Sequence, residues 1–267
     1  MTHRVSLCVA YNGAAFHGWQ YQSSALPTVQ AELERALSLV ADHRISVTCA
    51  GRTDARVHAT WQIVHFDTDA DRPLKAWVWG TNSHLPETIS VNWAQHVSNG
   101  FDARFSATAR RYLYLIHNRP VRSALLSELL TREHRPLDIV AMNQAGAALL
   151  GEQDFTSFRA ANCQSNTPMR NVHHLRIHRR DTLVIIDIAA NAFLQHMVRN
   201  IAGVLMDVGA GAKPVEWVAE LLERRDRTRA SKTASPNGLY LVDVSYPADY
   251  ELPAGPGLPH LFSQLHL

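Results

Sequence analysis

The order in which two hydrophobic periodicities follow each other constrains the fold of this chain more than any other feature. In the first half, apolar residues alternate in four short stretches and recur at helical spacing in two others. The predicted strands are 4–11, 45–49, 61–65 and 89–93, and the predicted helices follow Thr28 and Pro73. The order is therefore βαββαβ, which is typical of an antiparallel sheet carrying two helices.

The second half repeats this order more loosely, with one additional helix. Its predicted strands are 112–118, 172–177, 183–188 and 239–246, and its predicted helices begin at Asp138, His196 and Pro214. Two such halves predict an α+β protein made of two ferredoxin-like, RRM-like units with antiparallel sheets. We place the units at residues 1–105 and 106–267. RNA-recognition modules use the open face of such a sheet.

Composition favours a globular protein of the cytoplasm. Hydrophobic residues make up 46% of the chain and charged residues 19%, and no apolar run approaches the roughly 18 residues that a membrane span needs. The N-terminus does not resemble a signal peptide. Cys8, Cys49 and Cys163 are far apart and lack CxxC spacing, so we expect reduced thiols rather than disulfides or a zinc site.

The basic charge of the chain is clustered, although its total is small. The formal net charge is only +2, which by itself does not indicate a nucleic-acid partner. Most of the basic residues are arginines, which suit bidentate phosphate contacts. They group at 110–111, 179–180 and 224–232. Each group taken singly is equally consistent with a solvated helix end or strand edge.

A polar loop between two predicted strands is the strongest candidate site. Residues 51–58 contain Arg52, Asp54 and His58 within a short stretch at the end of a strand. An ordinary polar loop with an internal ion pair is the alternative. A second polar group, His196 to Asn200, opens a helix that is otherwise apolar. Because charge at the start of a core-facing helix needs a partner, we expect Arg199 to pair with Asp54.

The sequence GRTDARVHAT at 51–60 resembles the active-site loop of the TruA family of tRNA pseudouridine synthases. Five further segments are similar to motifs of that family and occur in the same order. They are 11–20, 105–112, 151–158, 196–203 and 232–241. The resemblance covers nearly the whole chain, from about residue 5 to residue 246.

The resemblance implies an isomerase that converts uridine to pseudouridine in the anticodon stem-loop of tRNA, at positions 38, 39 and 40. The reaction involves no redox change and consumes no water, so neither a cofactor nor a metal is implied. The family resemblance also implies a homodimer, with tRNA as partner bound in a central cleft formed by the two halves.

The resemblance assigns a role to each candidate residue. Asp54 is the expected nucleophile, Arg199 its ion-pair partner, and Arg52 the residue that assists nucleotide flipping. The expected substrate-binding residues are Tyr112, Arg110, Arg111 and Leu241. The sequence departs from the family at Arg56, where glycine is usual. Glycine there suggests a positive φ or a close approach of RNA backbone.

Two other classes of function predict different sequence features. A non-catalytic protein with tandem RRM-like halves predicts an aromatic RNP1 pattern on a central strand, which the sequence lacks. A metal-dependent hydrolase using Asp54 as a ligand needs at least two further clustered carboxylates. Asp67, Asp69 and Asp71 come nearest in sequence, on a predicted solvated loop.

Overall fold

The computed structural model of the protein describes residues 2–22 and 26–255. These residues form a mixed α+β structure that divides into two compact units. The first unit contains the described residues up to Thr108 and those from Leu241 onward. The second unit contains Ala109–Tyr240. Within the described ranges, none of the helices combines the length and the apolar character needed to cross a membrane.

The first unit is an antiparallel sheet with helices. Strand β1 lies between β4 and β3, and the short β2 pairs with β3. The elements are β1 (His3–Tyr11), α1 (Val29–Ala41), β2 (Thr48–Cys49), β3 (His58–Thr68), α2 (Thr81–His84) and β4 (Ile89–Val97). Their order along the chain is the predicted βαββαβ.

Helix α1 begins where the sequence predicted. The Oγ1 atom of Thr28 accepts the Ala31 N–H at 3.3 Å, which satisfies one amide of the first turn. The buried face of the helix then repeats at the expected spacing, with Val29, Leu33 and Leu37 among its buried residues. The N-cap and the apolar stripe together explain why this segment is helical.

The predicted strand at 45–49 was wrong over most of its length, because only Thr48–Cys49 pair with a neighbouring strand. Ile45 and Val47 are buried as the alternation suggested. Their amides, however, donate to side chains of α1: Ile45 N–H to Ser38 Oγ and Val47 N–H to Glu34 Oε1, both at 2.9 Å. The apolar pattern therefore predicted the burial of Ile45 and Val47 correctly, but not the groups to which their backbone amides donate.

The predicted helix after Pro73 is short and irregular. A five-residue π-helical turn, Ala76–Gly80, precedes α2. Trp77 in this turn is 1% exposed, and its ring lies edge-on to Phe66 of β3 with centroids 5.1 Å apart. Burial of this large side chain against the sheet holds a segment that is too short to be stable as an isolated helix.

In the second unit, four strands pair antiparallel in the order β5-β9-β8-β7. The short strand β6 pairs with β5 in parallel. The elements are β5 (Ala109–Asn118), β6 (Thr131–Glu133), α3 (Ile139–Gly146), β7 (Gly151–Asp154), β8 (Met169–Arg180), β9 (Leu183–Ala190), α4 (Met197–Gly209) and α5 (Trp217–Arg224). Strand β10 (Leu239–Ser245) follows, and from Leu241 it belongs to the first unit, where it lies next to β3.

The predicted helix starts in this unit were right at α3 and wrong at α5. The Asp138 carboxylate accepts the N–H groups of Val140 and Ala141, as expected of an N-cap. Helix α5, by contrast, begins at Trp217 rather than at Pro214. The Trp217 N–H donates to the Pro214 carbonyl at 3.2 Å, so the proline belongs to the turn before the helix.

Helix α4 is held against the segment that precedes β10 by a close backbone approach. A Cβ atom at Gly203 would lie 2.3 Å from the carbonyl oxygen of Lys232. Contacts under 3.0 Å are not tolerated between such atoms, so only glycine fits here unless the backbone moves. This explains the glycine in the apolar helix.

We predict that Gly203→Ala lowers the free energy of unfolding by about 1–3 kcal/mol, the usual cost of overpacking. A decrease in the free energy of unfolding is informative, because helix propensity alone favours alanine over glycine by nearly 1 kcal/mol. Urea denaturation followed by circular dichroism measures the change. Gly100→Ala is the control, since a Cβ there meets no atom closer than 4.0 Å. A Gly203→Ala variant as stable as the parent would contradict the close approach.

Candidate active site

The candidate active-site loop, residues 51–57, connects β2 to β3 and is fixed at its start by one side chain of the sheet. Gln62 donates from Nε2 to the Gly51 carbonyl at 2.5 Å and accepts the Gly51 N–H at 3.3 Å. Just before it, the Ala50 N–H donates to the Ile63 carbonyl at 2.8 Å. The loop thus leaves the sheet at a defined position.

A second segment, residues 11–19, holds the middle of the loop through three hydrogen bonds. The Trp19 N–H donates to the Thr53 carbonyl at 3.0 Å, and the Arg56 N–H donates to the Phe16 carbonyl at 3.1 Å. The hydroxyls of Tyr11 and Thr53 share a bond of 2.8 Å. Because Tyr11, Trp19 and Thr53 are buried, the two bonds to Thr53 are protected from water. Together with the Arg56 bond, they fix the backbone on both sides of Asp54.

Two glycines allow that segment to lie directly on the loop. A Cβ at Gly18, where φ is +96°, would lie 2.8 Å from the Thr53 carbonyl oxygen. A Cβ at Gly13 would lie 1.9 Å from the Val57 carbonyl oxygen. The Gly13 N–H also donates to Nδ1 of His58 at 3.0 Å. The motif at 11–20 is therefore explained by backbone packing against the candidate site.

The loop turns sharply at Asp54. The Val57 N–H donates to the Asp54 carbonyl at 3.2 Å, which closes a four-residue turn. Arg56, the third residue of the turn, has a φ of 67°. The glycine that is usual at this position therefore corresponds to a left-handed conformation, and here arginine adopts it with its side chain exposed.

This geometry presents a carboxylate on a rigid support. Asp54 is half-buried, between the exposed Arg52 and the exposed Ala55. The backbone on either side is anchored to β1, β3 and the 11–19 segment, so the side chain is presented in a restricted set of orientations. An acidic group on an ordered loop, beside an exposed guanidinium, is suited to act on a ligand that carries phosphate.

In the second unit, Arg110 and Tyr112 lie on one face of β5, as alternate residues of a strand do. Tyr112 is 8% exposed, and its ring lies edge-on to Phe193, with centroids 5.1 Å apart. Arg110 donates from Nη1 to the Asn191 carbonyl at 3.1 Å. The segment between β9 and α4 therefore positions both side chains.

Arg111 points to the opposite face of the same sheet, away from Tyr112. Its guanidinium forms a two-pronged ion pair with Asp187 of β9, with N–O distances of 2.8 and 2.6 Å. Nε2 of His174 lies 3.2 Å from the same carboxylate. The structure thus separates two substrate-binding candidates that are adjacent in sequence, for the simple reason that strand residues alternate.

Arg199 lies in the first turn of α4, fixed by the segment before β10. Its Nε donates to the Ala234 carbonyl at 2.9 Å, and the Ala234 N–H donates to the Arg199 carbonyl at 3.2 Å. The charge also acts on Tyr114 nearby: burial raises the pKa of that phenol, and Arg199 opposes the rise. Leu241, the remaining candidate, is fully buried in β10.

The described residues offer little support for a metal site. Among them, no three His, Cys, Asp or Glu side chains are grouped as metal ligands would be. Asp67, one of the carboxylates on which the hydrolase alternative depends, lies on β3 rather than on a loop and is ion-paired with Arg4 at 2.7 Å. Cys8, Cys49 and Cys163 are free, and the first two are buried.

We predict that the conformation of Arg56 makes the loop sensitive to the shape of this side chain. Left-handed backbone costs a residue other than glycine roughly 1–2 kcal/mol, and a β-branched residue tolerates it least. Arg56→Gly should therefore change the free energy of unfolding by less than about 1 kcal/mol, since relief of strain offsets the greater freedom of the unfolded chain. Arg56→Val should be at least about 1 kcal/mol less stable than Arg56→Gly.

Thermal and urea denaturation of the two variants measure this difference. Both substitutions remove the same charge, so the pair isolates the backbone effect. Equal stability of the valine and glycine variants would show that the turn does not hold residue 56 in the left-handed region.

Comparison with known proteins identifies the family. A family model described as tRNA pseudouridine synthase matches residues 7–106 and 145–247. The chain is 55% identical over 262 residues to tRNA pseudouridine synthase A of Pseudomonas aeruginosa, covering 98% of this chain and 92% of that protein. It is 56% identical over 250 residues to the protein of the same name from Pasteurella multocida, covering 94% of each.

Among solved structures, one that the chain resembles is a Cbf5-Nop10-Gar1 complex. The TM-score is 0.33 at 10% identity, over 88% of this chain and 57% of that one, a likeness too weak to support an argument. The extent and identity of the sequence matches show that the chain belongs to the TruA family of tRNA pseudouridine synthases.

Proposed function

We propose that the chain isomerises uridine to pseudouridine in the anticodon stem-loop of tRNA, at positions 38, 39 and 40, with Asp54 as the nucleophile. Membership of the family supports the reaction and the substrate class. The observation that carries the role of Asp54 is its place in a turn whose backbone is anchored on both sides by hydrogen bonds.

The reaction itself indicates what the site must provide. The bond between N1 of uracil and C1′ of ribose breaks, the base turns and C5 bonds to C1′. C5 then loses its proton, and N1 gains one. Charge develops at the sugar–base junction, and a carboxylate can stabilise that charge or form a covalent intermediate. No atom is gained or lost, so the residues of the chain and the RNA suffice to balance the reaction.

We propose Arg199 as the ion-pair partner of Asp54 during the reaction. A guanidinium within ~4–6 Å of a carboxylate favours its charged form and restricts its orientation. The support is the family motif at 196–203 and the anchoring of the Arg199 guanidinium and carbonyl by Ala234. A positioned arginine loses less conformational entropy on pairing than a mobile one.

Arg52 and Tyr112 are proposed to act on the nucleotide. Everting a base costs a few kcal/mol, and the exposed guanidinium of Arg52 can fill the vacated position or bind phosphate. The Tyr112 ring, braced by Phe193, is proposed to stack on the uracil, with its hydroxyl assisting removal of the C5 proton.

Three further residues are proposed to contact the substrate. Arg110 is proposed to bind phosphate on the Tyr112 face of β5, and Arg111 on the opposite face, where Asp187 holds it. Leu241 is proposed as an apolar surface beneath the base.

We also propose that each half is ferredoxin-like. The strand order β4-β1-β3-β2 in the first unit supports this. We further propose a cytoplasmic homodimer that binds tRNA in a cleft formed by the two halves.

We predict that purified protein incubated with an unmodified tRNA transcript produces pseudouridine at positions 38–40, without added metal or nucleotide. Position-by-position mapping with carbodiimide and reverse transcription measures it. Transcripts carrying cytidine at each of these positions in turn are the control, since each should lose only its own signal. Modification confined to another arm of the tRNA would contradict the proposed specificity.

We predict that Asp54→Asn abolishes pseudouridine formation while affinity for tRNA stays within about threefold of the parent value. The amide preserves shape but removes the charge that the reaction needs, a loss that typically exceeds 10²-fold in rate. Single-turnover assays and filter binding give the two quantities. Asp71→Asn removes an exposed carboxylate of the same unit and should leave both unchanged. Activity of Asp54→Asn near the parent rate would refute the assignment.

A further inference from the structure

A second ordered loop of the first unit, residues 98–106, presents an aromatic side chain to solvent. We call it the Phe105 loop. Its base is a buried aromatic cluster: Phe101 is fully buried, with ring centroids 5.1 Å from Tyr246, 5.0 Å from Tyr250 and 5.9 Å from His65. Packing of this kind fixes where the loop leaves the core.

The backbone of the tip is fixed by hydrogen bonds as well. One carboxylate oxygen of Asp102 accepts the N–H groups of Arg104 and Phe105 at 2.8 and 2.9 Å. The Ser106 N–H donates to the Asp102 carbonyl at 2.9 Å, and the Asp102 N–H donates to Ser106 Oγ at 3.0 Å. These four bonds close the tip around Arg104 and Phe105.

Ala103, just before the tip, is held through both its N–H and its carbonyl. Its N–H donates to Nδ1 of His65 at 3.0 Å, and its carbonyl accepts the Tyr246 hydroxyl at 2.6 Å. Burial and the nearby Arg4 lower the pKa of His65, which favours the neutral ring that can accept this bond. The tip is therefore not a flexible connection.

On this support, the Phe105 ring is left 79% exposed. The guanidinium carbon of Arg104 lies 5.2 Å from the centre of the ring. A single exposed apolar residue is ordinary on a protein surface. An exposed aromatic ring on a fixed backbone, with an arginine over it, is the combination that proteins use to bind unpaired nucleotides, by stacking and by cation–π contact.

The Phe105 loop and the active-site loop are anchored at neighbouring points of the same sheet. His65, which holds Ala103, lies directly opposite Thr48 in the β2–β3 pairing, and the chain reaches the active-site loop three residues later. Arg52 and Arg104 also act on one buried thiol: desolvation raises the pKa of Cys49 to about 12, and both arginines oppose the rise. The two cations therefore lie within electrostatic range of the same group.

We propose that Phe105 and Arg104 form a nucleotide-stacking site, in which an unpaired base of the anticodon loop stacks on the Phe105 ring while Arg104 supplies positive charge beside it. This rests on the proposed function in taking RNA as the ligand. The site contributes affinity and register rather than chemistry, since the target base is engaged at Asp54. An aromatic surface accepts any base, which suits an enzyme that must bind tRNAs of differing loop sequence.

The test compares Phe105→Ala, Phe105→Leu and Phe105→Trp. Stacking of one base is worth enough that the alanine and leucine variants should bind an unmodified anticodon stem-loop roughly tenfold more weakly. The tryptophan variant should bind within about threefold of the parent. KM should rise with the loss of affinity, while kcat at saturating RNA should change little. Trp79→Ala removes an aromatic ring that is 74% exposed elsewhere in the same unit, and it should affect neither quantity.

A direct signal of stacking comes from 2-aminopurine placed singly at each unpaired position of the stem-loop. The parent and Phe105→Trp proteins should quench its fluorescence at one position, and Phe105→Leu should not. Unchanged affinity in Phe105→Ala would overturn the proposal. Full affinity in Phe105→Leu would also overturn it, since an apolar contact would then suffice. A change of oligomeric state in Phe105→Ala would overturn it by assigning the ring to contact with a second copy.

The outcome is separable from that of the proposed function. Loss of stem-loop binding in Phe105→Ala can be measured in an Asp54→Asn background, where no product forms. If the parent protein made no pseudouridine but still bound RNA through Phe105, the proposed function would fail and the stacking site would stand. If Phe105→Ala modified tRNA normally with an unchanged KM, the proposed function would stand and the stacking site would fail.

Discussion

The contact between residues 11–19 and the 51–57 loop is the constraint on which the candidate site depends. It consists of main-chain hydrogen bonds from Trp19 and Arg56, a buried hydroxyl pair, and two glycines that let the segments approach within contact distance. A reacting carboxylate should be oriented before the substrate arrives, because the free-energy cost of orienting it then does not add to the activation barrier. Helix α1 supports this contact from outside, since the Val29 and Gln30 amides donate to the Gly18 and Trp19 carbonyls at 3.2 and 3.0 Å.

The rigidity of the active-site loop has a local energetic cost, which is the left-handed backbone conformation of Arg56. The turn after Asp54 requires a positive φ, which an arginine adopts less readily than glycine. Strain of this kind persists where surrounding bonds over-determine the backbone. Here the Arg56 and Val57 amides both have backbone partners. An arginine in this conformation adds an exposed positive charge next to the loop, in keeping with an anionic ligand.

Hydrophobic periodicity predicted most of the elements because burial and secondary structure share the same repeat. It succeeded for α1 and for β8 and β9, where a stripe or an alternation coincides with real helix and strand pairing. It failed at Ile45 and Val47, which are buried but whose amides bond to side chains of α1. It also misplaced the start of α5, because a proline that precedes a helix can belong either to its first turn or to the turn before it.

The sequence by itself determined the family, the βαββαβ order of the first half and the loop that carries Asp54, because these are properties of local pattern and ordered motifs. Tertiary structure alone decided which side chains share a surface: Arg111 faces Asp187 rather than the side occupied by Tyr112, and Phe105 stands exposed on a braced tip. It also decided that the chain rejoins its first unit at Leu241. The reason is physical: spacing along a chain specifies the direction of a side chain within its own element, whereas its neighbours depend on contacts between residues distant in sequence.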